Sequence, residues 1–220
     1  MKVRHYDNPF PFMVIDEFYS SEELKRIWCE LEFLSPEHKW DTTESNPEDG
    51  ALSENGQQLK QNRFRWLDSI YRRCEDSDIL TFSRKILENE IFGDTFLSHN
   101  HWFFRGLKVN ICHTLLSYYG ETGDQYKRHY DYASVTCLTW FYKEPKQFDG
   151  GDLSLYYNND RIDISIMNNR ILIFPSSIDH QAHPITTKPD FKDGDGRYCL
   201  SQFLYIIPED MVPGGNFSWK

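Results

Sequence analysis

A chain of 220 residues, 39% hydrophobic, is long enough to bury one substantial core, and its 13 Tyr and 16 Phe suit a β-rich fold. The formal net charge of −10 argues against non-specific nucleic-acid binding, which draws most of its affinity from a basic surface. No run approaches the ~18 apolar residues of a membrane span. The start, Met1 to Tyr6, has no apolar stretch of the signal-peptide kind. Five cysteines (Cys29, Cys74, Cys112, Cys137 and Cys199) form neither a close pair nor a zinc or redox spacing. The expectation is a cytoplasmic protein with reduced, buried thiols and neither a nucleic-acid nor a membrane partner.

Residues 9–19 read as a short strand entering a turn. Ser20 and Glu23 fit a capping box, and Leu24, Ile27, Leu31 and Leu34 recur at helical spacing, with Pro36 just beyond. Residues 41–62 are polar and aperiodic, so they form either a lid or a disordered loop. A second helix is predicted from Ser77 to about Ile91. From residue 101 the pattern turns to period two. Candidate strands are 102–105, 107–118, 134–142, 152–157, 161–166, 170–174 and 197–207, separated by Gly- and Asn-rich turns. The fold class is therefore α+β, mainly β. A double-stranded β-helix, or jelly roll, spans 101–210, with helices from residues 1–100 packed on one sheet, all in one domain over 1–220.

Within Gln125 to Ala133, His129 and Asp131 lie two residues apart, and on an extended backbone such side chains leave the same face. They can chelate one metal ion if a third ligand comes from elsewhere, and His180 is the best candidate. Two His and one carboxylate make the facial triad of non-haem Fe(II) oxygenases. The pattern alone is weak, because His5-Tyr6-Asp7 repeats it at the N-terminus, where surface residues are expected. Context separates the two. His129 and Asp131 sit between two strands, and His180 follows a late strand that a jelly roll folds back beside early ones. His183 is the rival to His180. His99, His101 and His113 read as ordinary strand or turn residues, and His38 as a loop residue. Arg197, first residue of the last strand, suits a buried carboxylate because guanidinium binds it bidentately and stays charged.

Four segments together resemble one family. Tyr119-Gly120 through Gly123, Gln125-Tyr126 and His129-Tyr130-Asp131-Tyr132-Ala133 is similar to the catalytic stretch of the collagen prolyl 4-hydroxylases, apart from one inserted residue. Phe148-Asp149-Gly150-Gly151-Asp152 resembles the family's acidic-Gly-Gly segment. Phe174-Pro175-Ser176 with His180 and Pro184 resembles the stretch carrying its distal metal histidine, and Arg197-Tyr198 the segment with its co-substrate cation. The likeness to the prolyl 4-hydroxylase-like group of Fe(II)/2-oxoglutarate-dependent oxygenases covers residues 107–207.

The resemblance implies Fe(II), 2-oxoglutarate as co-substrate and O₂, with ascorbate as a further candidate. It implies metal ligation by His129, Asp131 and His180, and co-substrate binding by Arg197 and Tyr119. The collagen enzymes carry Lys where this chain has Arg197. The position that often carries a co-substrate Tyr is Trp140 here, whose indole donates one hydrogen bond and accepts none, with Tyr142 as the alternative. The implied reaction is hydroxylation of an unactivated C–H bond, with a prolyl residue of a peptide or protein as leading substrate and succinate and CO₂ as co-products. Small-molecule substrates and the oligomeric state stay open. The rival class is a cupin-like metal-binding jelly roll that is not an oxygenase, either an isomerase or a ligand-binding module.

Overall fold

The strands that build the body alternate so strictly that their two faces feed two different cores. The computed structural model describes residues 1–35, 40–53, 55–88, 92–96 and 98–206. A seven-stranded sheet runs in spatial order β1 (Lys2–Tyr6), β2 (Phe12–Asp16), β11 (Arg170–Pro175), β7 (Val135–Phe141), β14 (Arg197–Tyr205), β5 (Ile111–Tyr119) and β4 (Arg63–Trp66). A five-stranded sheet runs β10 (Asp160–Ile164), β9 (Leu153–Tyr157), β12 (Asp179–Ala182), β6 (Gln125–His129) and β3 (Lys60–Gln61). A small pair joins β13 (Ile185–Thr187) to β8 (Phe148–Gly150). From β5 onward the chain passes back and forth between the two large sheets, and β14 returns to lie between β5 and β7. This is jelly-roll connectivity.

The outer core joins one face of the large sheet to the helices. Val135, Cys137 and Phe141 of β7, Tyr198, Leu200 and Leu204 of β14, and Cys112, Leu116 and Tyr118 of β5 meet Ile27, Leu31 and Leu34 of α1 (Ser21–Leu34). The alternate residues turn inward. Leu138 and Trp140, Leu172 and Phe174, and Val14 pack against Leu153, Leu155 and Ala182 of the smaller sheet. Buried on both sides, these central strands read as nearly continuous apolar runs.

Helix α1 starts where its chemistry predicts. The Ser20 hydroxyl accepts from Glu23 N at 3.3 Å, and the Glu23 carboxylate accepts from Ser20 N at 2.6 Å. A further tie comes from Asn169, which holds φ +62° in the turn before β11. Its side-chain amide accepts from Tyr19 N and donates to Tyr19 O, both at 2.8 Å, fixing the entry to α1 against the sheet.

Several expectations change. Residues 102–105 are not a strand but the short helix Trp102–Arg105, capped by His101, whose Nδ1 accepts from Phe103 N at 3.2 Å. A short apolar run does not by itself distinguish the two states. The helix expected from Ser77 is α-helical only over Asp78–Ser83, then tightens to a 3-10 turn at Arg84–Leu87; residues 89–91 lie outside the described part, as does His38. His5 is exposed as expected, but it sits on strand β1, which was not anticipated. All five cysteines are free. Cys112, Cys137 and Cys199 are buried, whereas Cys29 is exposed on α1 and Cys74 half-buried, so burial holds for three of five. Among the described residues, no helix is long and apolar enough to cross a membrane.

If α1 is held mainly by its buried stripe, Leu31→Ala should cost about 3 kcal/mol. Ser20→Ala should cost about 1 kcal/mol through the lost cap. Urea unfolding of both variants measures this, and equal losses would show that the cap matters as much as the packing.

Candidate active site

The register of two strands assembles the site. In the β6–β12 ladder His180 pairs directly with His129. The ladder then shifts, so that Ala182 pairs with Tyr126, an irregularity that lets β6 bend. Side chains three apart on a regular strand would face opposite ways. Here the Tyr126 and His129 rings stack, with centroids 3.5 Å apart and planes within 12°. Asp131 lies just beyond β6 and is pinned to the start of β7. Its N–H donates to Ser176 O at 3.0 Å, and Thr136 Oγ1 donates to its Oδ2 at 2.7 Å. Because the Thr136 proton goes to the carboxylate, Ser176 Oγ donates to Thr136 at 2.8 Å.

One donor atom from each of His129, Asp131 and His180 lies within 4.8 Å of the others. His180 Nε2 is 3.4 Å from Asp131 Oδ2, and His129 Nε2 is 3.8 Å from Asp131 Oδ1. The other ring nitrogens are committed. His129 Nδ1 is 2.7 Å from Lys127 O, and His180 Nδ1 is 3.1 Å from Ile178 O. A carbonyl only accepts, so each Nδ1 carries a proton and each Nε2 is left to face the centre. Burial, and then the neighbouring His180, push the His129 pKa well below its ordinary value, so the ring stays neutral. Two imidazoles and one carboxylate are a donor set that could hold a divalent first-row metal.

Beside these residues a cavity of about 660 Å³ opens, lined by the inward faces of β5, β7 and β14. Arg197 is fully buried in its wall. Its Nη1 donates to Gly151 O, and its guanidinium carbon lies 3.7 Å over the Tyr119 ring. Gly151 has φ +81°, and a Cβ there would come within 2.9 Å of Ile185, so glycine is needed for this approach. Arg197 Nε and Nη2 are buried without a partner. Unmet charged donors in a cavity wall are costly, and a carboxylate of a bound acid would satisfy both. Tyr119 is Arg197's cross-strand partner, and burial pushes its phenol up to about 12, so it stays protonated.

Residues 114–205 match the family model described as the 2OG-Fe(II) oxygenase superfamily. Over that stretch the β-core is similar to the 2OG-Fe(II) oxygenases. Over 98 residues the chain is 29% identical to a PKHD-type hydroxylase of Gloeothece citriformis, a match spanning 41% of this chain and 44% of that protein. In fold it is similar to a Trichoplax adhaerens prolyl hydroxylase solved with a peptide fragment of the hypoxia-inducible factor oxygen degradation domain. That match has TM-score 0.61 and 16% identity, over 88% of this chain and 83% of the other. It is also similar to a Pseudomonas putida prolyl-4-hydroxylase, with TM-score 0.57 and 15% identity, over 90% and 93%. The family implies Fe(II), 2-oxoglutarate and O₂, and the donor set and the unmet guanidinium fit the first two.

The structure thus gathers all six residues singled out in the sequence: His129, Asp131, His180, Arg197, Tyr119 and Trp140 all line the one cavity. Trp140 is fully buried there. Tyr142 lies past the end of β7, packs on Phe148 and does not line the cavity. His183 is also outside, its Nε2 2.6 Å from Ser154 Oγ. Within residues 41–62, Asp49, Ala51, Leu52, Ser53, Leu59 and Lys60 border the cavity and form part of its wall. Lys60 and Tyr126 were missed as site residues. No periodicity marks the first, and only its neighbour His129 could have pointed to the second.

Removing the Thr136 hydroxyl should loosen Asp131. Thr136→Val should lower Fe(II) affinity about 10- to 100-fold, whereas Asp131→Ala should abolish binding. Anaerobic Fe(II) titration followed by tryptophan fluorescence tests this, and undiminished affinity in Asp131→Ala would remove that carboxylate from the ligand set.

Proposed function

We propose that this protein is an Fe(II)- and 2-oxoglutarate-dependent dioxygenase that hydroxylates an unactivated C–H bond, with a prolyl residue of a peptide or protein as the leading substrate. Its co-products are succinate and CO₂. In this reading His129, Asp131 and His180 hold the metal, while Arg197, Tyr119 and Trp140 receive the co-substrate. Bound iron with 2-oxoglutarate and O₂ supplies an oxidant strong enough for a C–H bond. The chain supplies position and dryness.

The observation that carries this reading is a three-donor cluster opening onto a cavity in whose wall a fully buried guanidinium keeps two donors unsatisfied. Nothing in a cupin-like isomerase or ligand module calls for that second feature. Tyr119 lies against the face of the guanidinium, which supports its charge and steers its free edge. Trp140 adds an indole N–H and excludes water. The mouth is flanked by Tyr130 and Tyr132, 52% and 86% exposed, which offer flat apolar surface to an incoming chain. The fold neighbour solved with a bound peptide favours a peptide over a metabolite as first choice.

Arg197→Met should raise the KM for 2-oxoglutarate about 10- to 100-fold, the worth of a charged hydrogen-bonded contact. Succinate release measures this, and an unchanged KM would place the anchor elsewhere. Anaerobic addition of Fe(II) and 2-oxoglutarate should give a weak visible charge-transfer band, lost in His180→Ala; persistence of the band in that variant would count against His180 as ligand. A succinate-release screen over proline-containing peptides and free amino acids tests the substrate.

A further inference from the structure

Lys60 is a buried cation in the cavity wall that the proposed reaction leaves unused. It is only 2% exposed. Its backbone is fixed by pairing with Tyr126 in the β3–β6 ladder, and its carbonyl accepts from Thr43 Oγ1 at 2.9 Å and Gln58 Nε2 at 2.8 Å. The ammonium has no such anchor. It sits 3.6 Å over the centre of the Phe64 ring and 5.8 Å from that of Tyr126, whose other neighbour is the His129 ring. No carboxylate among the described residues comes within ion-pair distance of it. A lysine covering apolar surface with its stem would normally carry its head out into water. This one turns its head into the cavity wall, where burial pushes its pKa down to about 7 even though Asp49, Asp131 and Asp41 oppose the shift.

Charge balance shows what is missing. In the loaded site the positive charges of the ion and Arg197 are matched by Asp131 and the two carboxylates of 2-oxoglutarate. Asp49 also borders the cavity, but no described carboxylate lies within ion-pair distance of Lys60, and a buried charge is tolerated when directly paired. The remaining component is the substrate. We propose that Lys60 is a specificity-determining residue that binds a carboxylate of the substrate, so that the molecule oxidised is an acid whose anionic group lies close to the reacting carbon. This rests on the oxygenase reading and narrows it. The carboxylate can come from a free amino acid, a peptide C-terminus or an acidic side chain beside the modified residue.

The test compares substrates that differ only in that charge, using the full chain with Fe(II) and 2-oxoglutarate. The probes are free L-proline against L-prolinamide, a short peptide ending in proline against its C-terminal amide, and an internal proline beside glutamate against one beside glutamine. At least one carboxylate form should exceed its neutral partner in kcat/KM about 10- to 100-fold, and the winning pair identifies the source. Lys60→Met should collapse that ratio toward one, and Lys60→Arg should restore part of it, which a folding defect would not do. A second readout needs no turnover. With Zn(II) in place of iron and 2-oxoglutarate bound, the Lys60 side-chain NMR signal, assigned by its loss in Lys60→Met, should move on titration with the carboxylate probes and stay still with the amides.

Equal turnover of all charged and neutral partners overturns the proposal and leaves the oxygenase reading standing. So does a rise in the KM for 2-oxoglutarate in Lys60→Met that matches its loss toward substrate, since Lys60 would then serve the co-substrate. If no probe is oxidised, a Lys60 signal indifferent to every carboxylate overturns it. Absence of any 2-oxoglutarate consumption, with or without probes, instead sinks the reading beneath it.

Discussion

The site depends on one alignment, His180 opposite His129 across β6 and β12. Side chains alternate along a strand, so a slip of one residue would send one imidazole to the outside of the roll and leave no donor set. What prevents the slip lies on both flanks. β12 is locked to β9 from Asp179 to Ala182, and Asp131 is tied through Thr136 and Ser176 to the large sheet. The donors therefore belong to both layers, and packing between the layers sets their spacing. The bulge in the β6–β12 ladder adds a second effect: it brings Tyr126 onto the His129 ring and so joins the three-donor cluster to the wall that holds Lys60.

How legible this was in the sequence varies with how local the cause is. The start of α1 was readable because a capping box is complete within four residues, Ser20 to Glu23. The central strands were readable because burial on both faces leaves few polar interruptions, as in β7 and β14. That His129, Asp131, His180 and Arg197 would meet in one cavity was readable because residue type, spacing and order all pointed the same way. Lys60 was not. It sits in a two-residue strand within a polar stretch, and only the pairing with β6 makes it an interior residue. The helix at Trp102–Arg105 failed for a related reason, since four apolar-rich residues fit either period and the His101 cap decides between them.

Two buried cations stand out against the acidic composition. The chain as a whole is acidic, at −10, yet two of the cations it buries, Lys60 and Arg197, face the same cavity. Neither finds a carboxylate within ion-pair distance among the described residues. Arg197 is held by a carbonyl and an aromatic face, and Lys60 by aromatic rings alone. Such contacts keep a cation in place without neutralising it.

The two backbone carbonyls that hold the imidazole N–H groups carry a consequence for metal choice. Because Lys127 O and Ile178 O orient the rings before any ion arrives, the cluster has little reorganisation left to spend on telling one divalent ion from another. Affinity for such nitrogen and oxygen donors rises from manganese through iron to copper, so the pocket by itself ranks iron below several competitors. The donor set alone therefore does not single out iron, and the availability of ions would weigh in which one such a cluster takes up.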